Sequence, residues 1–508
     1  MIADNTPVII GVGQCSERVG EAGYEGLSYM DLGGRALAAA IANAGAIGPV
    51  ADAIDTLAAI RAFEMSRPGK EPPFGAPDNI PGALAKRVGA APGRLILSPT
   101  GGQTNQEYVG EFAREIAVGE SQCAVIVGSE VISTALALAA KGETPDWSER
   151  IGGTFEDRGF GLDGMMEMAL FAHGATGAIP LYAIAENARR AKLGKSLGEY
   201  RRDIGELFAP FSKIAASNPH AAAPVERSAE ELATITERNR IVAEPYTRMT
   251  VARDQVNQAA AIIIASAGKA RELGVPEEKW VHIHAVTKAT ELELSVRPDL
   301  SANPASIGSV EAALDRAGKT IADIRFLDFY SCFAIPVFGQ IDHFGLAVDD
   351  PRGLTLTGGL PFFGGAGNNY SAHAICEAVE CVRASPGSYA LTGANGGWMS
   401  KYATGIYSSD PADWSGHDRF SALPPADNAV SRSDKTFDSA TVESYTINRN
   451  KKGDVAVFIG RNADGERVCG NADLDDEVTA AVFEGGEPFG VKLAVIQDDR
   501  GRNTGRVV

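Results

Sequence analysis

Three glycine-bearing loops carry the residues of this sequence whose types and spacing could do chemistry. The first, Ser98-Pro-Thr-Gly-Gly-Gln-Thr-Asn-Gln106, turns on Gly101 and Gly102 between the apolar run Leu95–Leu97 and a helical pattern from Thr104 to Val118. A helix N-terminus presents free N–H groups and a positive dipole end, so Ser98, Thr100, Gly101 and Gly102 sit where an anion or a developing oxyanion is stabilised. The same residues also suit an ordinary strand-to-helix turn capped by Thr104. The second loop, Asp328-Phe-Tyr-Ser-Cys-Phe-Ala334, delivers Tyr330 and Cys332 to the end of a strand, where open α/β sheets place ligands. A thiol just before a helix can have a lowered pKa and be nucleophilic; its plain alternative is a buried small side chain. The third, Gly358-Gly-Leu-Pro-Phe-Phe-Gly-Gly-Ala-Gly-Asn-Asn-Tyr370, lets another group approach the backbone and ends on Asn368 and Asn369, which donate and accept at once. A related turn, Gly393-Ala-Asn-Gly-Gly397, adds Asn395. No Lys-Ser/Thr follows the glycines, and GxSxG, HExxH and a strand-to-helix GxGxxG are absent. His343 and His373 lie near these loops and read as helix-surface or packing residues.

The elements that must position these loops alternate between strand and helix. Val8–Gly13, Leu95–Leu97 and Ala124–Val127 read as strands; Met30–Ala44 and Thr104–Val118 read as helices, so a parallel, doubly covered sheet is expected. From 131 to 240, charged helical segments such as Tyr182–Lys192 and Ser196–Ala209 form a long capping insertion. Sheet character is expected again at Thr250–Val256, with a helix from Gln258, although AAIIIAS suits a strand equally well. The second half repeats the order: a strand at Phe326–Tyr330, a helix at Ile335–Phe344, the glycine loop, a helix at Ser371–Ala384 and a strand at Ser388–Thr392. This suggests an internal duplication. Ser408–Asp427, rich in Pro, Ser and Asp, reads as a linker. Ala440–Thr446, Val455–Ile459, Glu466–Gly470 and Gly490–Ile496 read as strands of a small all-β module. A cut near Asp427 is therefore expected to leave a folded core.

Composition sets outer limits. The 508 residues, 44% hydrophobic and 22% charged, allow several domains and a large core. A net charge of −18 disfavours nucleic acid as the partner. No run approaches the ~20 apolar residues of a membrane span, and the N-terminus lacks a signal-peptide pattern. Six sparse cysteines without metal-type pairing predict a reduced, cytoplasmic protein with no metal; Cys376 and Cys381 read as small apolar residues of one helix.

The combined motifs resemble the thiolase superfamily along essentially the whole chain. YSCFAIPVFGQIDHFGL (Tyr330–Leu346) is similar to the HDCF-type segment of sterol-carrier-protein-type thiolases. GGLPFFGGAGNN is similar to the GHP-containing loop, and GANGGW to the CxG loop. The branch called thiolase-like protein type one shares the YSCF, GGLP and NGG patterns and an added C-terminal β domain. The resemblance implies a duplicated, five-layered αβαβα thiolase fold. Its halves would be 1–130 with 241–275 and 276–410, with a capping loop domain at 131–240 and a barrel-like domain at 428–508. It also implies coenzyme A or acyl-CoA as substrate, no covalently bound cofactor, a place in lipid metabolism, and either a homodimer or a monomer. Arg189, Arg190, Lys192 and Lys195 of the insertion are candidates to meet the nucleotide phosphates.

Departures from the pattern are specific. The thiolase nucleophile falls on Ser98, Pro99, Thr100 or Gly101, the GHP histidine on Gly365, the CxG cysteine on Gly393 or Ala394, and the Asn or His of the second-half motif on Tyr330. The expected function is a thiolase-like, acetyl-CoA acetyltransferase-like acyltransferase that forms or cleaves carbon–carbon bonds without the usual Cys/His set. Cys332, Tyr330, Asn368, Asn369 and Asn395 would be its working groups, and Cys332 its best candidate for a reactive thiol. The alternatives are an acyl-CoA-binding protein with little catalysis and a subunit whose partner supplies missing groups.

Overall fold

A computed structural model describes residues 2–165, 167–433, 435–450 and 453–508. The duplication is explicit in the topology. In the first half Thr56–Ala59 pairs in parallel with Cys123–Val131, which runs antiparallel to Asn257–Ser266, which runs antiparallel to Pro7–Ser16. The second half repeats this order with Phe326–Asp328, Tyr389–Gly396, Lys401–Ser408 and Val281–Thr290. The two opening strands pair with each other through Val8 and His282, so both halves join in one 11-stranded sheet. The Thr104–Val118 and Tyr370–Ala384 helices each pack on strands of both halves. They form the central layer of a helix–sheet–helix–sheet–helix stack. Apolar side chains on both faces of Asn257–Ser266 make it a doubly covered strand. Close packing of the outer helix Tyr29–Asn43 depends on Gly13, since a Cβ there would lie 2.3 Å from the Ala36 carbonyl oxygen.

Several expectations are corrected. The helix expected from Gln258 is a strand up to Ser266, and the helix Ala267–Glu272 begins only where the Ser266 hydroxyl accepts from Lys269 N. The β-branched run Ile262–Ile264 fits the pleated, buried surface. Thr250–Val256 carries no strand. The stretch read as a linker contains Phe420–Ala422, which pairs with Val281–Thr290, and a buried Trp414 whose indole donates to Ile283 O at 2.9 Å. Among the described residues no helix is long and apolar enough to cross a membrane.

The C-terminal unit closes on itself. Ser439–Asn448 pairs with both Val455–Arg461 and Lys492–Gln497; Arg467–Ala472 bridges Val455–Arg461 to Asn503–Val507, which returns to Lys492–Gln497. The helix Glu477–Glu484 sits between its third and fourth strands. Five strands in the cyclic order 1-2-3-5-4, with the third and fifth parallel, form an OB-type barrel. Asn448 also pairs with Ala243 of the Ile241–Ala243 strand, so residues just past 240 belong to the barrel's sheet. The barrel's outer residues Val457, Ile459 and Cys469 lie in the same apolar cluster as the cap's Leu170, Tyr182 and Phe208.

Candidate functional site

The four loops converge at Gly102. A Cβ on this residue would lie 2.5 Å from Asn395 O and 2.7 Å from the Tyr330 hydroxyl, so only glycine allows the first-half loop to meet the strand ends of the second half. Asn368 locks the same junction. Its Oδ1 accepts from Gly101 N at 2.9 Å, its Nδ2 donates to Arg61 O and Ser66 Oγ, and its carbonyl accepts from Asn105 Nδ2. Asn369 Nδ2 donates to Gly128 O at 2.8 Å. Both asparagines therefore hold backbone across the two halves.

The hydroxyls of the first loop are engaged. Ser98 Oγ accepts from Arg61 N and donates to Pro99 O; Thr100 Oγ1 donates to Ser66 O. Thr104 donates its hydroxyl to Gly101 O at 2.7 Å rather than capping as an acceptor, and the helix is preceded by Gln103. Three expected residues keep uncommitted polar atoms, and Asn369 Oδ1, buried without a partner, is one of them. Asn395 Nδ2 is buried without a partner, and the Tyr330 hydroxyl has no hydrogen bond among the described residues. The Tyr330 and Asn395 side chains line a small cavity of about 10 Å³, the space of one water centre, together with Ser306, Gln340, Tyr402 and Thr404. Burial keeps the Tyr330 phenol far above its ordinary range, so it stays protonated.

Cys332 is buried and faces Tyr182, whose ring stacks on Phe333 with centroids 4.3 Å apart. Burial pushes the thiol up to about 12, and the Tyr182 hydrogen bond only partly opposes it. The helix start expected to favour a thiolate is already occupied. Glu186 accepts from Ile335 N in the first turn of Ala334–Phe344 and from the Tyr200 and Tyr246 hydroxyls. At Gly365 the backbone N donates to Arg253 O at 2.7 Å. His373 is fully buried, with Nδ1 on Gln14 Oε1, and burial followed by His220 pushes it down to about 3. His343 sits on a helix surface beside Glu311.

Glu130 is not singled out by the sequence, where the strand Ala124–Val127 ends at Gly128 and Glu130 lies just beyond it. The strand runs on to Val131 and buries the Glu130 carboxyl beneath Asn368, accepting from Phe63 N at 2.7 Å and from Asn368 N. Burial, ahead of the neighbouring Glu64, pushes it up to about 8. The four cations expected to meet phosphates are all paired: Arg189 with Asp342, Arg190 with Glu487, Lys192 with Asp299 and Lys195 with Asp203.

This duplicated five-layer architecture, with loops from both halves meeting over a helix N-terminus, is that of a thiolase-fold protein. The crystal structure of a monomeric SCP2-thiolase like protein type 1 from Mycobacterium smegmatis is 40% identical, covers 100% of both chains and superimposes with a TM-score of 0.83. The chain belongs to the thiolase superfamily, in its SCP2-thiolase-like group. An acetyl-CoA acetyltransferase from Syntrophomonas wolfei shares the fold at 16% identity, covering 80% of this chain and 100% of its own, with a TM-score of 0.56. A 3-ketoacyl-CoA thiolase from Erwinia tasmaniensis is 31% identical over 102 residues, which is 19% of this chain. The chain thus spans about a fifth (22%) of the length of that curated relative. No protein-family profile matches the chain.

Proposed function

We propose that this protein binds an acyl-CoA and makes or breaks a carbon–carbon bond in it without storing the acyl group on a cysteine. The observation that carries this reading is the company kept by Gly102. The protonated Tyr330 hydroxyl and the Asn395 carbonyl approach it, Asn395 Nδ2 is buried without a partner, and the nearest motif thiol is buried and pushed up to about 12. Tyr330 acts as the proton donor at the substrate's reacting carbon or carbonyl oxygen. Asn395 and the loop N–H groups orient the thioester oxygen. Acyl transfer through Cys332 would first require a proton to leave a thiol held well above its ordinary range.

A monomer is favoured, because Glu156–Asp157 pairs along the outer edge of Arg94–Leu97 and covers the edge of the sheet. For the nucleotide end, Arg227 and Arg238 line a surface cleft of about 420 Å³, and Arg248 and Arg227 lie close enough to act on the charge of Arg253. Glu230 and Glu231 share the cleft and Glu231 pairs with Arg227, so the preference for an anion rests on Arg248 and Arg253, exposed and without an ion pair among the described residues. The test combines intact mass after incubation with acyl-CoAs and calorimetry. Binding with no covalent adduct is expected, and Arg248→Ala with Arg253→Ala should weaken it about 10-fold, more at low salt. A stable acyl adduct, or no binding at millimolar ligand, would refute the reading.

A further inference from the structure

In an OB-type barrel the face of strands 2 and 3 is the ligand-bearing one. Here that face is formed by Val455–Arg461 and Arg467–Ala472. Alternation assigns Ala456, Phe458 and Val468 to the barrel interior and Val457, Ile459 and Cys469 to the outside, packed on the cap. One short piece of the cap is gripped from several directions. His173 Nε2 accepts from Asn503 N at 2.9 Å, and its carbonyl accepts from Asn471 Nδ2 at 2.7 Å. Gly174 lies against Val455, close enough that a Cβ would meet its Cγ1 at 3.1 Å. Leu170 is wholly buried in the shared cluster. Glu167 Oε1 accepts from Ser295 N at 2.8 Å. The ligand face of the barrel is therefore filled by its own chain.

The residues just before this piece cross the candidate site. Phe160 O accepts from Thr100 N at 3.1 Å, and the Phe160 ring lies 4.9 Å from the Arg61 guanidinium. Arg61 also binds Asp157 and, at 3.3 Å, Gly159 O. Lys401 donates to Gly161 O, and Met165 reaches Gly397. Residues 157–165 thus form a strap over both glycine turns. Gly159, Gly161 and Gly164 all have positive φ, so the strap carries hinges for a large backbone change. Beneath it Thr100, Gly101 and Gly102 are buried from solvent.

We propose that the C-terminal barrel works as a latch: it binds Leu170–Gly174 as an internal ligand and thereby holds the 157–165 strap closed over the site. Release of His173 from Asn471 and Asn503 lets the strap swing on its glycines and admits the substrate. The latch rests on the acyl-CoA reading only for the identity of that substrate.

Hydrogen exchange on the full-length protein tests it without any ligand. His173→Ala and Asn471→Ala should speed exchange of the 159–165 amides about 10-fold or more, with the central strands unchanged. His173→Gln, which keeps an acceptor for Asn503 N, should restore slow exchange. If His173→Ala melts non-cooperatively, Asn471→Ala, which removes the donors to His173 O and Ala456 O and leaves the His173 ring in place, decides. Faster exchange confined to 168–174, with the strap unaffected, would overturn the latch. Stopped-flow mixing with a fluorescent acyl-CoA should show association about 10-fold faster in the variants. No binding in any protein would sink the acyl-CoA reading while leaving the exchange result to judge the latch.

Discussion

Tyr330 and Cys332 are two residues apart and differ in what surrounds them. The phenol reaches Gly102 and the small cavity; the thiol points to Tyr182 beside a helix start already capped by Glu186. Tyr330→Phe is expected to lower turnover of acyl-CoA by about 100-fold or more, as loss of a proton-transfer group does, with binding changed less than about threefold. Cys332→Ala should leave turnover within a few-fold. Equal losses in the two variants would return the chemistry to the thiol. Glu130 belongs to this scale as well. Its folded pKa lies above the ordinary carboxyl value, so the stability it contributes is complete below about pH 4.5. That contribution is lost as pH rises towards about 8. Glu130→Gln should flatten the dependence of melting temperature on pH between 5 and 8. A variant with the wild-type slope would mean that Glu130 does not titrate there.

The barrel was legible as a β module, but not as an attached one. Its inner positions alternate well enough to show strands, yet its outer face is apolar too, and the reason lies in the cap. Arg190 is wholly buried between the two, donating to Gly486 O, Lys195 O and Asn187 Oδ1. Asn187 in turn donates to Tyr445 O, and Ser444 donates to Ile184 O. Removing residues 428–508 would expose Leu170 and Arg190 at once. The truncated chain is expected to aggregate, or to melt at least 10 °C lower, in a thermal scan with light scattering; an unchanged melt would show that the cap stands alone. These contacts argue against a clean cut near Asp427.

Across the whole molecule, histidines are buried neutral where the halves meet. His282 and His284, on the opening strand of the second half, are pushed down to about 4, in each case chiefly by burial, and His373 to about 3. The unfolded chain takes up protons near pH 6.5 that the fold refuses, so the stability contributed by these histidines should be full above that pH. It should fall progressively towards pH 4 and below. Denaturant midpoints measured from pH 8 to pH 4 check this, and a midpoint that holds constant down to pH 4.5 would contradict it. The duplicated βα order, the cap, the barrel and the four loops were readable locally, because strand and helix periodicity and glycine turns are properties of neighbouring residues. Asn368, Asn395 and Tyr330 were likewise visible as chemistry-bearing types at strand and loop ends. Their division of labour was not, since Asn368 is saturated by Gly101, Arg61 and Ser66, which lie hundreds of residues away in the chain. The capped helix at Cys332, the buried Glu130 carboxyl and the barrel's grip on His173 likewise arise from contacts between distant segments. Burial and partnership set a side chain's pKa and freedom, and only the folded chain decides those.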